Sequence, residues 1–177
     1  MEKWNPEQRF IFLAQRLKKL TQAQQANKQS QEVFQGIAFV CKQESFMIPL
    51  HYITQIVMCP KLTPIASGKE WFLGLMNLRG DIIPISDLQS FLYHENTKIE
   101  KNTPIVVVRY QGEWSGILIN HIKGLYSITT EKPVPFLMLK ENVFAPYNEE
   151  VIQYKKEIFP IFNIFKLIED PLFANAT

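Results

Sequence analysis

One structural unit occurs twice in this chain. Residues 80–92 read Gly-Asp-Ile-Ile-Pro-Ile-Ser-Asp-Leu-Gln-Ser-Phe-Leu, and residues 156–168 read Lys-Glu-Ile-Phe-Pro-Ile-Phe-Asn-Ile-Phe-Lys-Leu-Ile. Without a gap, each gives an acid, two apolar residues, Pro-Ile and a short apolar helix. Upstream, Leu50 to Ile56 is echoed by Ile119 to Leu125. The period is too long for a solenoid, so the pattern reads as duplication into two halves. A two-copy, β-rich chain without an evident catalytic group points to a docking body rather than an enzyme.

The chain has 177 residues, enough for one domain or two small subdomains with a common core. Hydrophobic residues make up 46%, which excludes disorder. The formal charge of +2 demands neither nucleic acid nor an anionic membrane as partner. No apolar run reaches the roughly 20 residues that span a bilayer, so direct membrane insertion is not expected. The start, Met1 to Pro6, lacks the features of a secretory signal. Cys41 and Cys59 form no C-x-x-C; two reduced thiols in the cytoplasm is the simplest reading, with a single disulfide left open.

Asn5, Pro6 and Gln8 signal a helix start, and Phe10, Leu13, Ala14, Leu17 and Leu20 recur at helical spacing. A helix is expected over residues 5–26, lying on the protein's own body, on a partner, or on a membrane surface through Arg9, Arg16, Lys18 and Lys19. Residues 21–32 read as its fraying end and a linker. Short strands follow over Val33–Val40 and Phe46–Leu50, joined by a polar turn. Pro60 and Pro64 bracket an extended piece. A short helix is expected over Glu70–Leu78, stopping before Gly80. Ile82–Ile85 reads as a strand; Pro84 makes it an edge or a bulged strand. Ser86 and Gln89 have capping-box spacing, which puts Ser86 at the cap of the next helix and Asp87 in its first turn.

His94 to Thr103 connects the halves. Pro104 to Tyr110 has buried-strand composition, Gln111-Gly112-Glu113 makes a hairpin turn, and Trp114–Ile119 returns. Leu125–Thr129 is another strand. Residues 131–149 are the least regular. Glu150–Tyr154 and Ile158–Phe162 form a hairpin, and Asn163–Glu169 a closing helix. Many short strands at this spacing indicate small barrels, and half-sized barrels need a shared interior.

The densest motif is Gly74-Leu75-Met76-Asn77-Leu78-Arg79-Gly80-Asp81-Ile82-Ile83-Pro84-Ile85-Ser86-Asp87-Leu88. It resembles the central motif of CheW-like domains, the coupling proteins of bacterial chemosensory arrays. The resemblance extends from about Phe34 to Ile168 and includes Phe46–Ile56 and Trp114–Leu125. It implies an all-β fold with short helices: two pseudo-symmetric five-stranded β-barrel subdomains sharing a hydrophobic core. The division expected is an N-terminal helix and linker (1–32), a CheW-like domain (33–170) and a tail (171–177). Within the domain, the barrels fall at about 33–93 and 104–162, with the chain free to cross between them. It also implies a non-enzymatic adaptor without cofactor or metal. One face would grip a CheA-type histidine kinase, and a groove between subdomains would receive a methyl-accepting chemoreceptor. The site would be cytoplasmic, at membrane-associated receptor arrays. The N-terminal helix and overall length look most like the CheW-like branch of type IV pilus (twitching) systems.

Partner contacts are expected at Arg79, Gln55, Ile53, Ile56, Val57 and Asn77. Gly74, Leu78, Gly80, Pro84, Asp87 and Leu88 are the structural part of the motif. A guanidinium held beside Gly80 suits carboxylate recognition, unless Arg79 pairs internally with Asp81 or Asp87. Ile53, Ile56 and Val57 either face the kinase or pack inward, and Trp71 and Phe72 either anchor a partner or plug the core. Gln55 and Asn120 stand where relatives carry Glu and Asp, which removes two negative charges.

The other readings are weaker. His51, His94 and His121 have no zinc-ligand spacing. Ser67-Gly68-Lys69-Glu70 lacks the context of a phosphate loop. Cys41 and His51 could meet as nucleophile and base only across a hairpin. A β-barrel single-stranded nucleic-acid-binding protein is the main alternative; it would use Tyr110, Trp114 and Tyr126 beside Arg109 and Lys123.

Overall fold

The repeat is built as two sheets that exchange strands. The structure, a computed structural model, describes residues 32–130, 134–135, 143–155 and 157–176. The helix expected over 5–26 and the linker after it lie outside these residues, apart from Glu32. In the first half, β1 (Glu32–Cys41), β2 (Glu44–Pro49), β3 (Gln55–Met58), β4 (Phe72–Leu78) and β5 (Asp81–Asp87) lead into α1 (Leu88–Tyr93). In the second half, β6 (Pro104–Tyr110), β7 (Glu113–Leu118) and β8 (His121–Thr130) come first. They are followed by β9 (Val134–Pro135), β10 (Asn148–Tyr154), β11 (Glu157–Phe162), α2 (Ile164–Glu169) and α3 (Pro171–Ala174).

The first sheet runs β8-β1-β2-β11-β10, with the two-residue β9 beyond β10; the second runs β3-β6-β7-β5-β4. The two orders are equivalent once the halves are aligned. The first sheet combines β1 and β2 of the first half with β8, β10 and β11 of the second, and the second sheet combines β6 and β7 of the second half with β3, β4 and β5 of the first. The sequence segments 33–93 and 104–162 therefore each supply strands to both sheets. The halves meet at parallel pairs, Ile85–Asp87 with Gly116–Leu118 and Ile161 with Met47, and at the antiparallel pairs of β3 with β6 and of β8 with β1.

Proline placement explains where those pairs begin. Pro84 and Pro160 each stand one residue before the parallel pairing and face their hairpin partners, Leu75 and Val151. A proline cannot donate to a ladder, so it fits where the strand has a neighbour on one side only. β5 is thus an interior strand by order, not the edge expected from Pro84. The bulge lies on its partner β4, between Phe72 and Gly74.

The helix expected over Glu70–Leu78 is a strand from Phe72 onward. Gly74 and Met76 are buried while Asn77 is exposed, an alternation of period two. An interior glycine disfavours a helix, and here Gly74 has φ +123°, which breaks helical geometry. A Cβ on Gly74 would meet the Thr63 carbonyl oxygen at 2.2 Å, so that backbone approach requires glycine.

The central strands are apolar on both faces because both faces are covered. Val106 and Val108 of β6, with Phe39, Phe46, Ile48 and Ile117, enter a core between the sheets that also takes Leu88, Leu92, Ile164 and Leu167 from the helices. Their neighbours Ile105 and Val107 pack with Ile83, Ile85 and Leu118 inside the second sheet. Ala38, Met47, Ile152, Phe159 and Ile161 do the same inside the first. The run Pro104–Tyr110 is continuous rather than alternating for this reason. This is the expected pair of five-stranded units around a common hydrophobic interior.

The helix after β5 is capped by Asp87, not by Ser86. Asp87 has extended backbone geometry and accepts from the N–H groups of Gln89 and Ser90, while Ser86 belongs to β5. A carboxylate can accept several bonds at once, and so takes the cap position. Asn163, the equivalent residue of the second copy, caps α2 through Phe165 and Lys166.

Candidate functional site

The motif's exposed end is the turn between β4 and β5. Arg79 and Gly80 both have positive φ, +56° and +100°, the backbone that lets a two-residue loop match the twist of its strands. A non-glycine residue at positive φ costs about 1 kcal/mol. Asn77 offsets this: its Oδ1 accepts from the Gly80 N–H at 3.2 Å. Arg79, Gly80 and Asp81 are exposed. Among the described residues the Arg79 guanidinium makes no ion pair and no hydrogen bond.

Asp87 is not its partner. The Asp87 side chain is fully buried, and beyond its cap bonds it accepts from the Thr97 N–H and hydroxyl, both at 2.7 Å. Its oxygens pin the start of α1 to the connection between the halves. Leu88, directly after it, is buried in the shared core, and Leu78 packs on the core of the second sheet.

Gln55, Ile56 and Val57 lie on β3, at the opposite edge of the same sheet from β4. β3 pairs with β6 alone, Gln55 facing Val107 and Ile56 facing Val106, so its other backbone edge is open within the sheet. Ile53 and Ile56 are half-buried against the shared core, and Val57 against the core of the second sheet. Met58 at the end of β3 is 55% exposed, an apolar group that sequence reasoning missed. Among the described residues, no hydrogen bond or ion pair joins Gln55 to Arg79. The site residues therefore form two groups: Asn77, Arg79 and Gly80 on one turn, and Ile53 to Val57 along the far edge.

Asn120 has a role that its amide explains. Its Oδ1 accepts from the Lys42 N–H at 3.2 Å, and its Nδ2 donates to Gln89 Oε1 at 2.9 Å. Lys42 in turn pairs with Glu95 at 2.7 Å and sits over the Tyr93 ring. A carboxylate could not donate as this side chain does. Trp71 is buried and stacks on Phe173, and Phe72 packs on the shared core; both belong to the interior.

Among the described residues the competing chemistries find no assembled site. Cys41 is buried, and its thiol is pushed up to about 12, by burial first and then by the charges of Asp87 and Glu44. Such a thiol does not supply a thiolate nucleophile at neutral pH. Cys41 and Cys59 are both free. His51 stands against Tyr52, not Cys41. Among the described residues no cluster of His, Cys, Asp and Glu could hold a metal, and no helix is long and apolar enough to cross a membrane. Of the group expected for nucleic acid, Tyr110, Trp114 and Arg109 share the β6–β7 hairpin, with Arg109 5.2 Å from the centre of the Trp114 ring, while Tyr126 and Lys123 lie on the other sheet. Tyr110 stacks on Phe165 and is hydrogen-bonded to Glu169, Trp114 packs on the second sheet's core, and Tyr126 lies in the first sheet's core. Lys123 pairs with Glu157 at 3.7 Å.

The two-sheet body presents a braced turn at one edge of its second sheet and an open strand at the other, and its fold is that of a scaffold-type adaptor. The chain belongs to the family of CheW-like domains, adaptors of chemotaxis signalling, which matches residues 35–171. Over 120 residues it is 26% identical to Protein PilI of Pseudomonas aeruginosa, covering 68% of this chain and 67% of that protein. Over 115 residues it is 30% identical to chemotaxis protein CheW of Helicobacter pylori, covering 64% and 70%. Its fold is similar to that of the scaffolding protein TtCheW from Thermoanaerobacter tengcongensis, with a TM-score of 0.66 at 18% identity over 78% of this chain and 95% of the other.

Proposed function

We propose that this chain is a non-catalytic coupling adaptor. It holds a CheA-type histidine kinase and a methyl-accepting chemoreceptor in one assembly, in the cytoplasm at membrane-associated arrays. The observation that carries the reading is the state of Arg79. The backbone around it is fixed by Gly80 and Asn77, and its guanidinium is exposed with no partner among the described residues. A planar donor fork held this way suits a carboxylate on a protein surface. Arg79 with Asn77 forms one contact, and Gln55, Ile53, Ile56 and Val57 along β3 form another. Simultaneous binding couples the partners, so receptor and kinase each change the other's affinity by the same factor.

The similarity to PilI supports placing the adaptor in a type IV pilus (twitching) chemosensory system. The test is Arg79→Glu in the full chain. Arg79 is exposed, so circular dichroism should match the parent, while affinity for the CheA-type kinase or the receptor falls at least about tenfold. Pull-downs should compare the kinase of the pilus system with that of a flagellar system. A folded Arg79→Glu variant that binds both partners and couples them normally would sink the reading; preference for the flagellar kinase would overturn the pilus assignment alone.

A further inference from the structure

We propose that the face formed by Tyr52, Tyr110, Phe165 and Glu169 docks an arginine presented by the CheA-type kinase. The site deepens the adaptor reading and rests on it. The two halves of the chain can be matched residue by residue here. Cys41 facing Glu44 closes the β1–β2 hairpin, and Tyr110 facing Glu113 closes the β6–β7 hairpin. Lys42 and Gln111 follow at equivalent turn positions, with φ +58° and +51°. Counted from the caps Asp87 and Asn163, Gln89 matches Phe165 and Tyr93 matches Glu169. Asn120, in the echo of Leu50 to Ile56, matches His51.

In one copy the chain closes this face with a cation of its own. Lys42 Nζ is 2.7 Å from Glu95 and 4.8 Å from the centre of the Tyr93 ring, and the Tyr93 hydroxyl donates to Glu44. Asn120 joins Lys42 to Gln89. The other copy has rings and carboxylates without the cation. Tyr110 stacks on Phe165 at 4.8 Å, and its hydroxyl donates to Glu169. Phe165 meets Tyr52 at 4.5 Å, and Tyr52 meets His51. Gln111 stands where Lys42 does, and Glu113, across the hairpin from Tyr110, stands where Glu44 does. Glu113 and Glu169 are exposed, and among the described residues neither is in an ion pair. Arg109 points to the opposite face of its strand, over Trp114 and onto the Gly112 carbonyl.

Charge complementarity names the occupant. A guanidinium can lie on a ring face and fork to a carboxylate at the same time, which suits stacked rings beside Glu113 and Glu169. The same carboxylates repel phosphate, which disfavours a nucleic acid or an anionic membrane. The face also runs into the contact placed along β3. Ile53 follows Tyr52, and Tyr52, Ile53, Ile56 and Phe165 border one core. Ile53, Ile56 and Val57 are the residues expected to meet the kinase, so the arginine belongs to that partner. One duplicated face is thus locked by the chain itself, and its twin is completed by the kinase.

Two substitutions in the full chain test this, with calorimetric binding to the receptor and to the CheA-type kinase that the parent prefers. Gln111→Lys gives this copy the cation that Lys42 gives the other. Gln111 is exposed and already has the backbone of Lys42, so circular dichroism should match the parent. Affinity for the kinase should fall at least about threefold in Gln111→Lys, and at least about tenfold in Glu169→Lys. Affinity for the receptor should stay within about twofold in both. Glu100→Lys, an exposed charge reversal on the connection between the halves, should change neither. Kinase binding like the parent's in either folded variant would overturn the proposal and leave the adaptor reading standing. A parent that binds neither protein would remove both. Loss of receptor binding instead would assign the face to the receptor, and self-association abolished by Gln111→Lys would assign it to a second copy; each result would overturn the kinase arginine.

Discussion

Phe173 lies flat on Trp71, with ring centroids 5.0 Å apart and planes 10° from parallel. Phe91 meets both edge-on, and the Lys69 N–H donates to the Ala176 carbonyl at 2.9 Å. Asp170 caps α3 through the Leu172 N–H and also accepts from the Tyr147 hydroxyl at 2.6 Å. The C-terminal turn is therefore part of the core rather than a tail. Phe173→Ala should lower unfolding free energy by about 3–5 kcal/mol, as for other buried aromatic truncations. Leu172→Ala, at a site 76% exposed, should change it by less than about 0.5 kcal/mol. Urea denaturation of the pair checks this; equal midpoints would show that the stack does not hold the turn.

Asp87 and Asn163 occupy equivalent caps but tolerate different changes. Asn163 uses one oxygen, which accepts from both Phe165 and Lys166. Asp87 uses both, the second taking the Thr97 N–H at 2.7 Å in a buried site. In Asp87→Asn an amide N–H₂ would face that N–H, or, with the amide turned the other way, both cap bonds, which share Oδ1, would be lost; either leaves a buried donor unmet, at about 1–3 kcal/mol. Asn163→Asp keeps its acceptor and adds charge at a helix N-terminus, so it should stay within about 1 kcal/mol of the parent. Thermal melting at pH 7 distinguishes the two, and comparable losses in both variants would contradict the assignment.

This contrast also marks what could be read from the sequence. The repeat, the hairpin at Gln111-Gly112, the buried run Pro104–Tyr110 and the motif around Arg79 rest on local chemistry, and they were legible. The strand over Phe72–Leu78 is not visible in the sequence because the bulge before Gly74 interrupts the alternation that announces a strand. Spacing alone points to Ser86 as the cap and does not show which of two adjacent acceptors, Ser86 or Asp87, faces the helix. The strand exchange was not legible, since the pairs of Ile85 with Gly116 and Ile161 with Met47 join distant segments. Asn120 could be flagged as a departure from the family, but its link from Lys42 to Gln89 needed the fold. The separation of Arg79 from the β3 residues on opposite edges was likewise a matter of sheet order.

Two glycines of one motif should respond very differently to alanine. At Gly74 the new Cβ would stand 2.2 Å from the Thr63 carbonyl oxygen, and backbone must move to admit it. At Gly80 nothing lies within 4 Å, so the cost is confined to the backbone at φ +100°. Gly80→Ala should lose about 1–2 kcal/mol. Gly74→Ala should lose at least about twice that, as overpacking adds to the same strain. Soluble yield and urea midpoints measure both, and a Gly74→Ala variant as stable as Gly80→Ala would refute the close approach.

Stability should fall in alkali, and Cys41 should carry part of the fall. Burial raises its thiol from an ordinary 9.0 to about 12, with Asp87 and Glu44 adding to the rise. Below pH 9 the thiol keeps its proton whether the chain is folded or not, so this group gives no pH dependence there. Above pH 9 the unfolded chain releases the proton while the folded chain holds it. Unfolding free energy therefore drops with rising pH, by about 1.4 kcal/mol per unit for one group, until about pH 12. Cys59, also raised by burial, adds a share, and Tyr93 and Tyr147 join above their ordinary 10.0 because burial raises them too. Cys41→Ala should thus flatten the slope between pH 9 and 10 without abolishing it, whatever the cavity costs at neutral pH. Urea titrations at half-unit intervals measure that slope. An unchanged slope would mean that the Cys41 thiol titrates no differently in the folded chain than in the unfolded one.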